Sequence, residues 1–214
     1  MSTPSHPLHS GPARTLYPGY RPPTGPDDLY TTRPPWDIGR PQPVFAALAE
    51  AGHIAGRVLD IGCGTGEHAL LAASLGCAAV GVDQSQQAIE VAERKARERG
   101  LNVRFHRHDA LRLPELGETF DTVLDCGLFH VIAPEARTTY AGSVAAVLRP
   151  GGRYVMLGFS DQQSGGWGPH RLTRAEIEST FVGGWRIDAI EPARLEILPE
   201  PAGIPAWLCT ATRE

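Results

Sequence analysis

From residue 57 onward, short apolar runs alternate with longer segments in which apolar residues return at helical spacing. RVLDIG (57–62) and AAVGVD (78–83) are apolar at most positions, as strands covered on both faces should be. Between them, EHALLAASLG carries Ala69, Leu70, Ala73 and Leu75 along a helix that Gly76 ends. SQQAIEVAERKARERG predicts an amphipathic helix capped near Ser85 and stopped by Gly100. LNVRFH, FDTVLDC and GRYVMLGF supply three further strands, with PEARTTYAGSVAAVL as the helix before the last. The order β-α-β-α-β, then β-α-β, predicts an α/β fold whose mostly parallel sheet is doubly wound by right-handed crossovers. The C-terminal part breaks this alternation. WRIDAIEPARLEIL and PAWLCTATRE are strand-like segments joined by a short Pro/Gly-containing turn, which predicts an antiparallel hairpin at one edge of a seven-stranded sheet. Upstream, RPQPVFAALAEAG reads as a helix opened by proline and closed by Gly52.

Composition adds one division. Of the 19 prolines, 11 fall within the first 43 residues, so the chain reads as a Pro-rich lead (1–40) before a globular domain (41–214). The lead is expected to be partly disordered without ligand. With 42% hydrophobic residues and a net charge of −4, the rest has enough apolar content to bury a core. The opening MSTPSHPLHS has neither a basic start nor an apolar stretch, and the default address is cytoplasmic. Cys63, Cys77, Cys126 and Cys209 are scattered without CxxC pairs, which predicts reduced thiols and no zinc or disulfide framework. Arg94, Lys95, Arg97 and Arg99 alternate with Glu90, Glu93 and Glu98, the pattern of a solvated helix face. That pattern and the acidic balance argue against a nucleic-acid partner. No apolar run approaches the ~18 residues of a membrane span.

Chemistry concentrates in VLDIGCGTGEH, where a strand ends near Asp60 and runs through Gly62, Gly64 and Gly66 into a helix. Such glycines let the backbone turn tightly and let a ligand lie against bare main chain near a helix N-terminus. A dinucleotide-binding GxGxxG loop would have its third glycine where Glu67 stands, which counts against a dehydrogenase. Asp60 before the loop repels a diphosphate and suits a cationic amino-acid ligand. Asp83, at the end of the next strand, is placed to accept both hydroxyls of a ribose. Asp109 follows the third strand and Asp125 ends the fourth. Parallel strands bring all of them to one edge of the sheet.

Residues 57–160 resemble the class I S-adenosylmethionine-dependent methyltransferases, and the resemblance implies their Rossmann-like fold. VLDIGCGTG matches the cofactor loop, VGVD the ribose strand end, HDA the adenine-side motif, FDTVLDCGLFH the strand facing the acceptor, and LRPGGRYVML the turn into strand five. The resemblance implies that Gly62, Cys63 and Gly64 line the methionine portion and Asp83 the ribose. Gln84 would flank the adenine, Asp109 and Ala110 would meet its edge, and Asp125 and Cys126 would lie near the amino-acid end. Asp60 would orient the loop or the cofactor ammonium. PPWDIGRPQP (34–43) and GPHRLTRAEI (168–177) further resemble thiopurine, thiol and halide methyltransferases and the bacterial enzymes acting on heterocyclic toxins and phenols. That likeness places Trp36 over the cofactor. His170 and Arg171 stand where the group usually carries an aromatic residue.

His130, after DCGLF, lies at the mouth of strand four and is the candidate general base. Phe129, Trp167 and His170 are candidate acceptor contacts. His106 and His108 share a strand face, but no third metal ligand is evident, so no metal is expected. The expected reaction is methyl transfer from S-adenosylmethionine to an O, S or N atom of a small aromatic, heterocyclic or thiol acceptor. The alternatives are methylation of a macromolecule and a non-catalytic cofactor-binding regulatory domain.

Overall fold

The computed structural model describes residues 24–214, in which seven strands form one sheet. β1 (Arg57–Ile61), β2 (Ala78–Asp83), β3 (Val103–Arg107), β4 (Phe120–Cys126) and β5 (Leu148–Phe159) run parallel. β6 (Trp185–Ile197) and β7 (Glu200–Arg213) form the terminal hairpin. The order is β3-β2-β1-β4-β5-β7-β6, with β7 antiparallel to both neighbours. The chain thus steps outward from β1 to β3, returns to the far side of β1 as β4, and steps outward again. That reversal leaves a crevice at the carboxyl ends of β1 and β4, where open α/β sheets bind ligands.

Helices cover both faces. On one face α1 (Pro43–Glu50) and α2 (Glu67–Ser74) lay Phe45, Ala49 and Ala72 against Val58, Leu124 and Val155. Beside them α3 (Gln86–Arg99) packs Ile89, Ala92 and Ala96 onto Leu70 and Phe105. On the other face α4 (Arg137–Val147) presents Tyr140, Ala141 and Val144 to Leu59, Ile61, Val123 and Tyr154. Each such fully buried large side chain is worth about 1.5–3 kcal/mol. α3 starts and stops where its sequence says: Ser85 Oγ accepts from the Ala88 amide, and Gly100 ends it in the left-handed conformation at φ 63°. The edge strand β6 carries Pro192, which lacks the amide an inner strand would need.

The structure adds elements that the periodicity did not reveal. α5 (Arg174–Thr180) follows β5, and a 3-10 segment, Ala110–Leu116, follows β3. α5 has only seven residues, too few for a periodic signal, and it is held by a capping box. There Thr173 Oγ1 accepts from the Glu176 amide while Glu176 Oε2 accepts from the Thr173 amide. β5 also starts earlier than the turn suggested. Pairing jumps from Phe120–Leu148 to Thr122–Arg153, so the Pro-Gly-Gly segment bulges out with Gly151 at φ 78°. Of the lead (1–40) expected to be partly disordered without ligand, residues 1–23 lie outside the described residues, while 24–40 carry a 3-10 turn at Asp27–Tyr30. No helix among the described residues is long and apolar enough to cross a membrane.

Candidate functional site

The crevice is built from the loop after β1. Gly62, Gly64 and Gly66 all adopt positive φ, at 64°, 51° and 87°. Only glycine serves at Gly66, because a Cβ there would lie 2.8 Å from both Ala92 and Phe105. The loop is pinned by Cys63 N–H to Val82 O at 2.9 Å, and α2 begins directly after it. Asp60 is buried beneath and accepts from the Ala69 amide at 3.0 Å, tying β1 to the first turn of α2. Burial pushes its carboxyl up to about 8, and the nearby Asp83 and Asp125 add to the shift. Asp83 holds the loop from β2: Oδ2 accepts from the Gly64 amide at 2.9 Å and Oδ1 from the Ser85 amide at 2.8 Å. Burial raises its carboxyl as well.

The rest of the lead docks over this loop. Asp27 accepts from Ser85 Oγ at 2.8 Å and from the Gln87 amide at 3.2 Å. Asp37 Oδ2 accepts from Thr65 Oγ1 at 3.0 Å, and Thr65 Oγ1 in turn accepts from Lys95 Nζ at 2.7 Å. Lys95 and Arg99 both pair with the buried Glu67. The residue standing over the loop is Tyr30, whose hydroxyl lies 2.9 Å from where a Gly64 Cβ would be. Burial and the charge of Asp83 push its phenol up. Trp36 meets the Tyr30 ring edge-on at 6.5 Å and stays 44% exposed, so it reaches the loop through Tyr30. Sequence reasoning missed Tyr30, because a single tyrosine in a Pro-rich lead carries no local signal.

On the adenine side of the expected site, Gln84 is exposed, and its carbonyl accepts from Arg107 Nε at 3.0 Å. Ala110 is buried, and Asp109 Oδ1 caps the 3-10 segment by accepting from the Leu111 amide at 2.9 Å. His108 is taken up by Arg112 O at 2.9 Å, and among the described residues no group of three potential ligands forms a metal site.

At the end of β4 the structure departs from expectation. Asp125 is wholly buried, and its carboxylate is spent on the protein. It accepts from the amides of Leu128 (2.9 Å) and Phe129 (3.1 Å) and from the hydroxyls of Tyr140 (2.5 Å) and Tyr154 (2.8 Å). These donors favour the ionised form, while burial, the larger effect, raises the carboxyl. Asp125 therefore anchors the turn after β4, and its surroundings leave it little capacity for a cofactor. Cys126, the last residue of β4, has a thiol pushed well up by burial. Leu128 reaches back to Gly62 and walls the crevice there.

His130 is buried beside Gly127, and its Nδ1 accepts from the Phe159 amide at 3.0 Å. A backbone amide always donates, so Nδ1 carries the lone pair and Nε2 carries the proton. Burial, with His170 nearby, pushes the ring down to about 3. For the general-base role expected of His130 this leaves a ring whose accepting nitrogen is already engaged by the Phe159 amide, with Nε2–H as the remaining polar group. Phe129 is buried behind it against Tyr140 and Phe181. Phe159 meets the His130 ring edge-on at 6.2 Å and Trp167 at 5.7 Å. His170 Nε2 lies 2.7 Å from Glu176 Oε1, which engages one of its two nitrogens. Glu176 also receives Arg137 Nη1 at 2.8 Å. Burial works to raise this carboxyl, yet Arg137, Thr173 and His170 together pull it to about 2.

A family model described as a methyltransferase domain matches residues 58–152. The chain is 39% identical over 166 residues to the 2-heptyl-1-hydroxyquinolin-4(1H)-one methyltransferase of Mycobacteroides abscessus, covering 76% of this chain and 73% of that protein. It is 32% identical over 151 residues to the probable thiol methyltransferase 2 of Arabidopsis thaliana, covering 69% and 66% of the two chains. A solved structure concerned with conversion of a disulfide bond into a thioacetal group during echinomycin biosynthesis superposes with a TM-score of 0.79. It shares 37% identity over 88% of this chain and 91% of that one.

Proposed function

The chain belongs to the S-adenosylmethionine-dependent methyltransferases, and from that premise we propose that its acceptor is a small molecule attacked at an O, S or N atom. One observation carries the reading. Asp83 fixes the glycine loop after β1 through the Gly64 amide, and from the end of β4 Leu128 packs against Gly62 with His130 beside Gly127. Leu128 suits the apolar body of a small acceptor, and His130 its polar atom. The acidic groups at the loop suit a cationic donor.

In this reading S-adenosylmethionine lies along Gly62, Cys63 and Gly64, with its ribose on Asp83 and its adenine near Gln84, Asp109 and Ala110. Asp60 sets the loop, and Tyr30, backed by Trp36, closes over it. The donor supplies an activated methyl group, so the protein's task is alignment and exclusion of water. Alignment of nucleophile and methyl carbon contributes up to about 7–11 kcal/mol in favourable systems. Leu128, between Gly62 and the acceptor side, and Phe159 with Trp167 supply the apolar cover.

The relatives' names support a small acceptor: one is named for a hydroxyquinolinone and the other for thiols. The basic residues of α3 support it too, because Arg94 and Arg97 pair with Glu98 and Glu93 and offer no stripe to a nucleic acid. Four free cysteines fit a cytoplasmic setting. The test is a thermal-shift comparison of S-adenosylmethionine, its demethylated product and NAD, followed by labelled-methyl transfer to phenols, thiols and heterocycles. Stabilisation by the first two with transfer to a small acceptor supports the reading. Stabilisation without any transfer would favour a regulatory domain.

A further inference from the structure

Beside the end of β4 stand a histidine whose accepting nitrogen is already engaged and two guanidinium groups with, among the described residues, an unpaired nitrogen each. His130 offers only Nε2–H, since Nδ1 is held by the Phe159 amide. Among the described residues this Nε2 has no hydrogen-bond partner, while the ring lies against Gly127 at the end of β4. The two rings that flank His130 in chain and space each carry a guanidinium: Arg137 sits 5.2 Å over Phe129, and Arg171 sits 5.7 Å over Phe159. Arg137 Nη2 and Arg171 Nε are buried without a hydrogen-bond partner among the described residues. Glu176 pairs with Arg137, whereas among the described residues the hydrogen bonds of Arg171 go to the carbonyls of Ser164 and Trp167. Among the described residues Arg171 pairs with no carboxylate, and Arg137 Nη2 is left unpaired beside its ion pair.

Resting on the methyltransferase reading, we propose that the enzyme takes its acceptor as a preformed anion, a thiolate, phenolate or N-hydroxy-heterocycle anion, held by His130 Nε2–H. No protein base removes the acceptor's proton. The acceptor loses it to solvent before binding. The anionic heteroatom then attacks the methyl carbon of the sulfonium, a heteroatom–carbon bond forms, and the carbon–sulfur bond breaks with its electron pair returning to sulfur. Anion and sulfonium become a neutral methylated product and a neutral thioether, so charge balances without proton transfer in the step. Arg171 favours the anion electrostatically, and the neutral His130 ring orients it.

The groups facing His130 leave it this role. From the β5–α5 loop comes His170, engaged by Glu176 of α5. From β4 the nearest carboxylate, Asp125, is turned to the tyrosines. From β5 comes only Phe159 with its amide.

The test is the pH dependence of kcat/KM for a series of substituted thiophenols and phenols whose own pKa values lie on both sides of neutrality. The proposal expects the acidic inflection to move with each acceptor's pKa. An inflection fixed at one pH for every acceptor would reveal an enzyme base and overturn it. In parallel, His130→Gln retains an amide donor in place of Nε2–H but cannot act as a base. It should keep activity within about tenfold of wild type, whereas His130→Ala should lose about 10- to 100-fold, the worth of a hydrogen bond to a charged group. Equal losses in both variants, with unchanged melting temperatures, would contradict the donor role. If either variant misfolds, the wild-type acceptor series decides alone. Absence of transfer to every acceptor despite cofactor binding would overturn the methyltransferase reading and this proposal with it; transfer with a fixed inflection would overturn the proposal only.

Discussion

Replacing Asp125 by Asn distinguishes a turn anchor from a cofactor contact. The carboxylate accepts from two amides and two tyrosine hydroxyls, and no solvent reaches it. An asparagine can keep its carbonyl toward Leu128 and Phe129 and turn its NH2 toward Tyr140 and Tyr154, whose hydroxyls can rotate to accept. The charge-assisted character of the tyrosine bonds is lost, at about 1–3 kcal/mol in total given net values near 1 kcal/mol per neutral bond and 1.5–3 for a charged one. For a domain of this size, each kcal/mol lowers Tm by roughly 2–4 °C. Calorimetry or thermal shift should therefore find a Tm drop of about 2–12 °C. Titration with S-adenosylmethionine should find affinity within about threefold of wild type, less than one neutral hydrogen bond's worth. Turnover should fall, because Leu128 and Phe129, which the carboxylate fixes, lead directly into His130. Unchanged Tm with affinity weakened more than about tenfold, the worth of a charged contact, would refute the anchor and restore Asp125 to the cofactor.

Asp83→Ala removes the partner of the Gly64 and Ser85 amides together with the proposed ribose acceptor. Cofactor affinity should fall about 100-fold or more, the worth of a pair of charge-assisted bonds, by isothermal titration; unchanged affinity would move the ribose elsewhere. Removing residues 1–40 takes away Tyr30, Trp36 and Asp37, and should weaken cofactor binding or turnover at least about tenfold. Full activity in the truncated protein would make the lead a mere tail. Glu176 is depressed to about 2 in the folded protein, so it contributes stability above its ordinary value of 4.5 that is lost as pH falls from there towards 2. Against Glu176→Gln, wild type should be about 1–3 kcal/mol more stable at neutral pH, discounting for partial exposure. The gap should close through that acidic window in urea denaturation, and a pH-independent gap would refute the Arg137–Glu176–His170 linkage.

What could be read in the sequence was local. The turn from β1 through Gly62, Gly64 and Gly66 into α2, the Asp83 strand end, and the Ser85 and Gly100 caps of α3 each occupy a few consecutive residues, and the structure forms them as read. The doubly wound, mostly parallel sheet with its antiparallel edge hairpin followed from the same alternation. What escaped depends on residues far apart in the chain. The Phe159 amide that fixes the His130 tautomer is 29 positions away, and Tyr154 is 29 from Asp125. Arg137 finds Glu176 across 39 positions. No spacing rule announces such pairs, so a histidine at the right strand end looked like a base and an aspartate like a ligand contact. α5 was legible in principle, since Thr173 and Glu176 stand at capping-box spacing, but the segment is too short for periodicity to call attention to it.

The central claim is methyl transfer from a cofactor seated on the β1 loop to a small acceptor. The most direct measurement is incubation of the full chain with methyl-labelled S-adenosylmethionine and a panel of thiols, phenols and N-hydroxy heterocycles, with mass analysis of the products and Asp83→Ala as the control. Wild type should form a labelled small-molecule product that is nearly absent with the variant. Label appearing only in protein or nucleic acid, or product formation undiminished in Asp83→Ala, would contradict it.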